Sequence, residues 1–276
     1  MTETPSTAAS ELIVPLDGRD ASVRAVPVAG RVAARLGLGV RLFAASDDDG
    51  SEMKAWMEEV ATTHLSGSEV SIEVDGGDDP VAAIVMAAGE GGMVCMATAA
   101  SLLPHQGHIG SVAEGVTREM QRPVILVGPE MVASPGENTT RLIVPVDGSP
   151  LSEAILPVAG DLAEALDVPA WLVTVVSPSI DSSSHMGVDA ITIGVGYLRG
   201  LARQLRSSHD IDAEYEVLHR DNPAEAIVDF TGSDGTVVMT THGRSGLSRL
   251  FGGSVATAVV ARSQRAVIVW HPADGD

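Results

Sequence analysis

One segment near the end of the chain has residue types that are suited to holding a phosphate group. It runs from Met239 to Val255 and contains Gly243, Gly253 and Ser254. The glycines let backbone amides approach a ligand closely, Ser254 adds a hydroxyl, and a helix predicted to begin near Ser254 offers free N–H groups. A glycine turn with Ser254 as an ordinary helix cap would give the same residues. The segment is not a Walker A loop, because no Gly-Lys-Ser/Thr follows.

Three histidines are candidates for metal binding or catalysis. His105 and His108 are three residues apart and could meet on one helical face, but no neighbouring cysteine or carboxylate completes a ligand set. His242 precedes Gly243, yet no nucleophile and orienting carboxylate can be assigned to it. We therefore predict solvated loop residues, no metal site and no catalytic residue.

Two aspartates and two arginines are further candidates for ligand contacts. Asp17 and Asp147 each follow a predicted strand and precede a glycine, so each either contacts a ligand or forms the turn. Arg244 and Arg249 flank the segment that begins at Gly243, where they would neutralise an anion. Exposed arginines of a loop need no function, so this alternative stays open.

The chain contains an internal duplication. Glu11–Gly18 reads ELIVPLDG and returns at Arg141–Gly148 as RLIVPVDG, a shift of 130 residues (11 to 141). Further along the shift is 143 residues, since Gly110-Ser111 returns as Gly253-Ser254 (110 to 253). Many collinear matches of this kind indicate two copies of one unit.

The two shifts differ by 13 residues (143 against 130), which indicates an insertion in the second copy. Its most suitable place is Ser177–Ala190, whose Ser, Pro and Gly content predicts either a lid or a disordered loop. We predict two domains, domain 1 over residues 10–130 and domain 2 over residues 140–272.

Each copy alternates predicted strands and helices. Short Val- and Ile-rich runs predict ten strands: Leu12–Leu16, Val40–Ala45, Val70–Val74, Met93–Ala97, Val124–Val127, Leu142–Val146, Trp171–Val176, Ala213–Leu218, Thr236–Thr240 and Ala266–Val269. Helices are predicted over Ser152–Leu166 and Thr192–Ser208, and Asp79-Pro80 and Asn222-Pro223 are predicted helix starts. We expect an α/β fold of two doubly wound, five-stranded parallel sheets, with ligands beyond the carboxyl ends of the first and fourth strands.

The composition restricts the class of partner. The chain has 37 acidic and 17 basic residues, a net charge of −20, which argues against nucleic acid and anionic membranes. No run of apolar residues is long enough for a membrane span, and the polar first ten residues predict a frayed tail. The single cysteine, Cys95, lies in a predicted strand, which indicates a buried, inert thiol and a cytoplasmic location.

The residues of the second copy resemble those of the universal stress protein family. That family carries Gly-x2-Gly-x9-Gly-Ser/Thr after its fourth strand, and here Gly243, nine residues and Gly253-Ser254 reproduce the later part. Pro145-Val146-Asp147-Gly148 looks like the family's first loop. The resemblance covers essentially the whole chain twice and implies a sheet order of 3-2-1-4-5, with domains that pair through their fifth strands.

The resemblance also implies an adenine nucleotide, with the ribose near Asp147, the adenine near the backbone of Val175 and the phosphates at the loop from Gly243 to Ser254. The implied ligand is ATP, with or without Mg²⁺, or a related nucleotide. The implied site in domain 2 comprises Pro145, Val146, Asp147, Val175, Met239, Thr240, Gly243, Arg244, Gly253, Ser254 and Val255. The corresponding candidates in domain 1 are Asp17, Gly110 and Ser111.

Both copies depart from the family pattern. Thr240 replaces the first glycine in copy two, and Ala97 and Ala100 replace both leading glycines in copy one. Alanine would be strained at Ala100 if that position needs positive φ. We expect domain 2 to be the nucleotide site, and domain 1 to be a structural partner or to bind something smaller.

Three functions follow from these expectations. The first is a stress-linked regulator that binds adenine nucleotide, with intramolecular domain pairing and, as an open question, a homodimer. The second is an enzyme on the same scaffold, a slow ATP hydrolase or a nucleotidyl-type transferase, although no catalytic lysine or partnered base is identifiable. The third is an interaction module that has lost its ligand, a reading that Thr240 and the alanines of copy one support.

Overall fold

The computed structural model describes residues 9–45, 50–99, 109–132, 139–177, 186–241 and 254–272. The first half contains β1 Glu11–Pro15, α1 Asp20–Val23, α2 Ala25–Leu36, β2 Gly39–Ala45, α3 Ser51–His64, β3 Val70–Asp75, α4 Pro80–Ala88, β4 Gly92–Ala97, α5 Ser111–Glu119 and β5 Val124–Val127. The second half contains β6 Arg141–Pro145, α6 Pro150–Glu153, α7 Leu156–Leu166, β7 Ala170–Val176, α8 Met186–Ser208, β8 Ala213–His219, α9 Pro223–Thr231, β9 Gly235–Thr240, α10 Ser254–Arg262 and β10 Val267–Trp270.

The strands form one sheet in the order β3-β2-β1-β4-β5-β10-β9-β6-β7-β8. All neighbours are parallel except β5 and β10, which pair antiparallel with Leu126 opposite Val267. Each half therefore has the order 3-2-1-4-5, and the predicted α/β fold with doubly wound parallel sheets is confirmed. Every predicted strand begins and ends within one residue of the observed one.

Helices cover both faces of the sheet. In β1, Leu12 and Val14 belong to a core that also contains residues of α2, α3, α7 and α8. Ile13 belongs to the opposite core, which contains residues of α4, α5, α9 and α10. Strands buried on both faces are apolar at every position, which is why they read as continuous runs in the sequence.

The helix starts agree with the sequence at two places and differ at two others. The side chain of Asp79 accepts from the N–H groups of Val81 and Ala82, and that of Asn222 accepts from Ala224 and Glu225. The predicted helix over Ser152–Leu166 is wrong as a single element.

The structure divides that segment into α6 and α7, with a break at residues 154–155. Pro157 has no N–H to donate to the carbonyl of Glu153, so the helical hydrogen-bond ladder cannot continue through it. The corresponding Pro27 follows the same break between α1 and α2 in the first half.

The predicted loop over Ser177–Ala190 is partly wrong as well. Helix α8 begins at Met186, six residues before its predicted start at Thr192 (186 against 192), so the backbone of residues 186–190 is helical. Of the remaining part of this segment only Ser177 lies within the described residues.

Contacts between the halves supplement the β5–β10 ladder. The Arg35 guanidinium donates to the carbonyl of Thr139 at 2.8 Å and to that of Leu166. The indole of Trp270 donates to the carbonyl of Gln121 at 3.2 Å.

The domain bounds 10–130 and 140–272 stay a prediction, and each range holds the five strands of one half of the sheet.

Within the described ranges, no helix combines the length and the hydropathy that a membrane span requires.

Candidate functional site

The strand order reverses between β1 and β4 in the first half and between β6 and β9 in the second. A crevice opens at such a point because the connections leaving the two strands go to opposite faces of the sheet. The predicted site residues that the structure describes lie at these two places, so each half has its own candidate site.

The loop after the central strand has the same construction in both halves. One carboxylate oxygen of Asp147 accepts from the N–H and the hydroxyl of Ser149, at 3.0 and 2.6 Å. One oxygen of Asp17 accepts from the N–H of Arg19 at 3.1 Å. Both aspartates therefore form a turn with the residues that follow them, as one of the two sequence-based alternatives expected. Both are also exposed at the crevice, and their contact with a ligand stays a prediction.

The glycine after each aspartate is required by this turn. Gly18 has φ of +78° and Gly148 has φ of +84°, which is the left-handed region that side chains disfavour. The turn is anchored from behind, since the N–H of Asp147 donates to the hydroxyl of Ser152 at 3.1 Å. The Asp-Gly pair thus fixes where the carboxylate stands at the mouth of the crevice.

The backbone of Val175 faces the same crevice. The ladder between β6 and β7 ends at the pair Pro145–Val173, and the carbonyl of Val173 accepts from the N–H of Val146 at 2.8 Å. Residues two apart in a strand direct their backbone groups to the same side. The N–H and C=O of Val175 therefore point past the end of β6, next to the turn at Asp147.

Met239 and Thr240 end the fourth strand of the second half, and both side chains are buried. Thr240 takes the place of the family's first glycine, as Ala97 does in the first half. Asp167 is the one described residue other than glycine with positive φ. Neither Thr240 nor Ala97 needs the left-handed conformation, so the loss of glycine introduces no backbone strain there.

Helix α10 begins at Ser254, as predicted, and Val255 is half-buried in its first turn. In the first half, α5 begins at Ser111 and its cap is Gly110, with φ of +109°. Ser254 and Ser111 are thus the first residues of these two helices, and a ligand contact of Ser254 stays a prediction. Gly243, Arg244, Arg249 and Gly253 lie outside the described residues, as do Ala100 and the three candidate histidines.

A cleft of about 360 Å³ lies at the crevice of the first half. Its lining brings together all three candidates of domain 1, Asp17, Gly110 and Ser111, with Arg24 among the cationic residues and Phe43 and Ile84 among the apolar ones. The lining of the cleft is therefore mixed: the start of α5 at Ser111 offers helix amides, and Phe43 and Ile84 are apolar.

Two residues at these crevices were not predicted from the sequence. Tyr197 of α8 donates its hydroxyl to Glu153 at 2.9 Å. Burial raises the pKa of Tyr197, as does the Glu153 hydrogen bond, while a hydrogen bond from the Gly148 backbone opposes the shift. Arg24 donates to the carbonyls of Ala21 and Thr98, both at 3.1 Å. Arg24 is the single residue between α1 and α2, and no spacing in the sequence links it to Thr98.

The part of the chain that the structure describes contains no group of three or more His, Cys, Asp or Glu residues placed to hold a metal ion. Cys95 is fully buried in β4, as predicted, and its thiol lies 3.6 Å from the carbonyl of Ala25. Burial raises the pKa of Cys95 to about 12, and the nearby Arg31 opposes this shift.

The comparisons with known proteins find similarity to one family. Residues 138–271 match the model of the universal stress protein family. A universal stress protein of Mycobacterium tuberculosis is 29% identical over 197 residues, which are 69% of this chain and 65% of that protein. A second one from the same species is 29% identical over 169 residues, 58% of this chain and 55% of that protein. The chain thus spans less than two thirds of the length of these relatives.

The fold has been observed before over nearly the whole length. The crystal structure of a universal stress protein from Archaeoglobus fulgidus has a TM-score of 0.67 and covers 96% of this chain and 97% of its own, at 20% sequence identity. At this identity the likeness shows a shared fold. The match over residues 138–271, just under half of the chain, indicates a universal stress protein domain in the second half.

Proposed function

We propose that the chain is a stress-linked regulator that binds an adenine nucleotide, mainly through domain 2. The observation that carries this proposal is the position of Val175, whose backbone N–H and C=O point into the crevice beside Asp147. One donor and one acceptor side by side match the hydrogen-bonding edge of adenine. The Asp147 carboxylate at the mouth is then in place for a ribose hydroxyl.

The phosphates would lie at the start of α10, where Ser254 and the first free amides of a helix are suited to anions. The family pattern of Gly243, Gly253 and Ser254 supports this position, and ATP, with or without Mg²⁺, is the proposed ligand. Domain 1 lacks both leading glycines, so we assign a smaller ligand or a structural role to its 360 Å³ cleft.

We further propose that the tandem chain forms internally the pair that single-domain members of the family form by dimerising. The antiparallel ladder between β5 and β10 supports this proposal. Bound nucleotide would act by shifting the populations of loop conformers or oligomers, which requires different affinities for those states. A cytoplasmic location fits the one free, buried thiol of Cys95.

The proposal is tested by denaturing the purified protein and analysing the released small molecules. Adenine nucleotide in the supernatant, or saturable binding of added ATP, is the expected result. Neither would be found for an interaction module that has lost its ligand. Steady phosphate release that is abolished by Gly243→Val would instead identify a slow hydrolase.

A further inference from the structure

Thr98 and Thr241 occupy equivalent positions at the two candidate sites. Each is the first residue after the fourth strand of its half, and each is almost fully buried. The N–H of Thr98 donates to the carbonyl of Val127 at 2.9 Å, and that of Thr241 donates to the carbonyl of Trp270 at 3.0 Å. The chain thus leaves the sheet in the same way in both halves.

The carbonyls of these threonines are held by different residues. The Arg24 guanidinium donates to the carbonyl of Thr98 at 3.1 Å. The Nδ1 atom of His271 lies 3.1 Å from the carbonyl oxygen of Thr241. A carbonyl oxygen only accepts, so the Nδ1 of His271 carries the hydrogen in this contact.

Each residue is absent from the other half. The duplication places Ala154 opposite Arg24 (24 to 154) and Gly128 opposite His271 (128 to 271), and neither has a side-chain donor. A side chain at Gly128 would require the backbone of α10 to move, because its Cβ would lie 2.0 Å from the carbonyl oxygen of Val260. The first half therefore has no histidine at this place and holds its carbonyl through Arg24.

We infer that Arg24 and His271 are positioning residues with the same role in the two halves. Each holds in place the carbonyl group of the threonine that directly follows the fourth strand, where the loop to the candidate site begins. In domain 2 this inference rests on the proposed function, because the loop that follows Thr241 carries the phosphate-binding pattern. A loop whose first peptide group is already held in place loses less conformational entropy when it binds a ligand. His271 therefore contributes to nucleotide affinity without touching the nucleotide.

The inference is tested by amide hydrogen exchange on the full chain without ligand. We compare His271→Ala, His271→Asn and Arg24→Ala with the natural sequence. The Thr241 amide keeps its own bond to the carbonyl of Trp270, but it is less restrained once the Thr241 carbonyl loses His271. His271→Ala should therefore speed local opening and exchange at the Thr241 amide roughly five- to tenfold and leave Thr98 unchanged. Arg24→Ala should do the reverse. Asparagine places its amide nitrogen near the position of Nδ1, so His271→Asn should exchange like the natural protein.

The second readout is the affinity for ATP, which should fall with His271→Ala by about the same factor and return with His271→Asn. If His271→Ala does not fold, His271→Phe keeps the ring and removes the donor. Unchanged exchange at Thr241 in a folded variant without the donor, or a failure of asparagine to restore it, would overturn the inference. A natural protein that binds no ATP would contradict the proposed function alone, since the exchange comparison needs no nucleotide.

Discussion

Gly128 lies directly against the last turn of α10, so that a Cβ atom there would stand 2.0 Å from the carbonyl oxygen of Val260. The contact joins the end of β5 in the first half to a helix of the second half. Gly128 directly follows the last residue of β5, so this contact lies beside the β5–β10 ladder at the junction of the two halves. The close approach depends on the absence of a side chain, and it makes the two halves asymmetric at the position where the second half has His271.

Gly128→Ala should therefore destabilise the protein, because the helix backbone must move to admit one methyl group. We expect a loss of about 1–3 kcal/mol in the free energy of unfolding. Gly200→Ala is the matched control, since Gly200 lies in α8 with open space around it. That change should be neutral or stabilise by up to about 1 kcal/mol. Urea unfolding followed by tryptophan fluorescence measures both, and equal effects would contradict the packing argument.

Asp147→Ala should weaken ATP binding roughly tenfold or more, as expected for the loss of a hydrogen bond to a charged group. Asp17→Ala is the control, because Asp17 forms the same kind of turn in domain 1. If domain 2 is the nucleotide site, the control should keep its ATP affinity. Calorimetric titration of the two variants distinguishes them, and a larger effect at Asp17 would place the site in domain 1.

Tyr197 should ionise at higher pH than an ordinary tyrosine, whose pKa is about 10. Burial and the hydrogen bond to Glu153 favour the neutral phenol and raise its pKa. Because the pKa is higher in the folded state, this contribution to stability is complete below about pH 10 and is lost as the pH rises through the folded-state pKa. The absorbance of tyrosinate should show a late step that Tyr197→Phe removes. A single step at the ordinary pH would refute this assignment.

Cys95 should not react with thiol reagents while the protein is folded. Its thiol is fully buried with a pKa of about 12, so very little thiolate forms at a mildly alkaline pH where exposed cysteines react. Labelling should therefore follow unfolding and become complete in urea. Rapid modification of the native protein would show that β4 is accessible, which the packing of this strand does not allow.

The sequence predicted the inner strands well because burial on both faces makes them nearly continuous apolar runs, whereas the edge strands β3 and β8 alternate in burial. Leu12, Ile13 and Val14 show the reason, since neighbours along β1 enter opposite cores. The duplication then predicted which loops meet at each crevice. The break before α7 was missed although Pro157 was visible, because the amphipathic pattern continues across it.

Contacts between distant residues were not predictable. Arg24 meets Thr98 across 74 positions, and Tyr197 meets Glu153 across 44. Neither pair has a spacing that distinguishes it, and only the folded chain brings its members together. The same holds for His271, whose partner Thr241 is known only once β9 and β10 are seen to be neighbours.

Calorimetric titration of the full chain with ATP, with and without Mg²⁺, tests the central proposal most directly. One site per chain is expected for the natural protein. That binding should disappear in Gly243→Val and persist in Ala100→Val, which changes the equivalent loop position of domain 1. No measurable heat with the natural protein, or binding that survives Gly243→Val and is lost in Ala100→Val, would contradict nucleotide binding through domain 2.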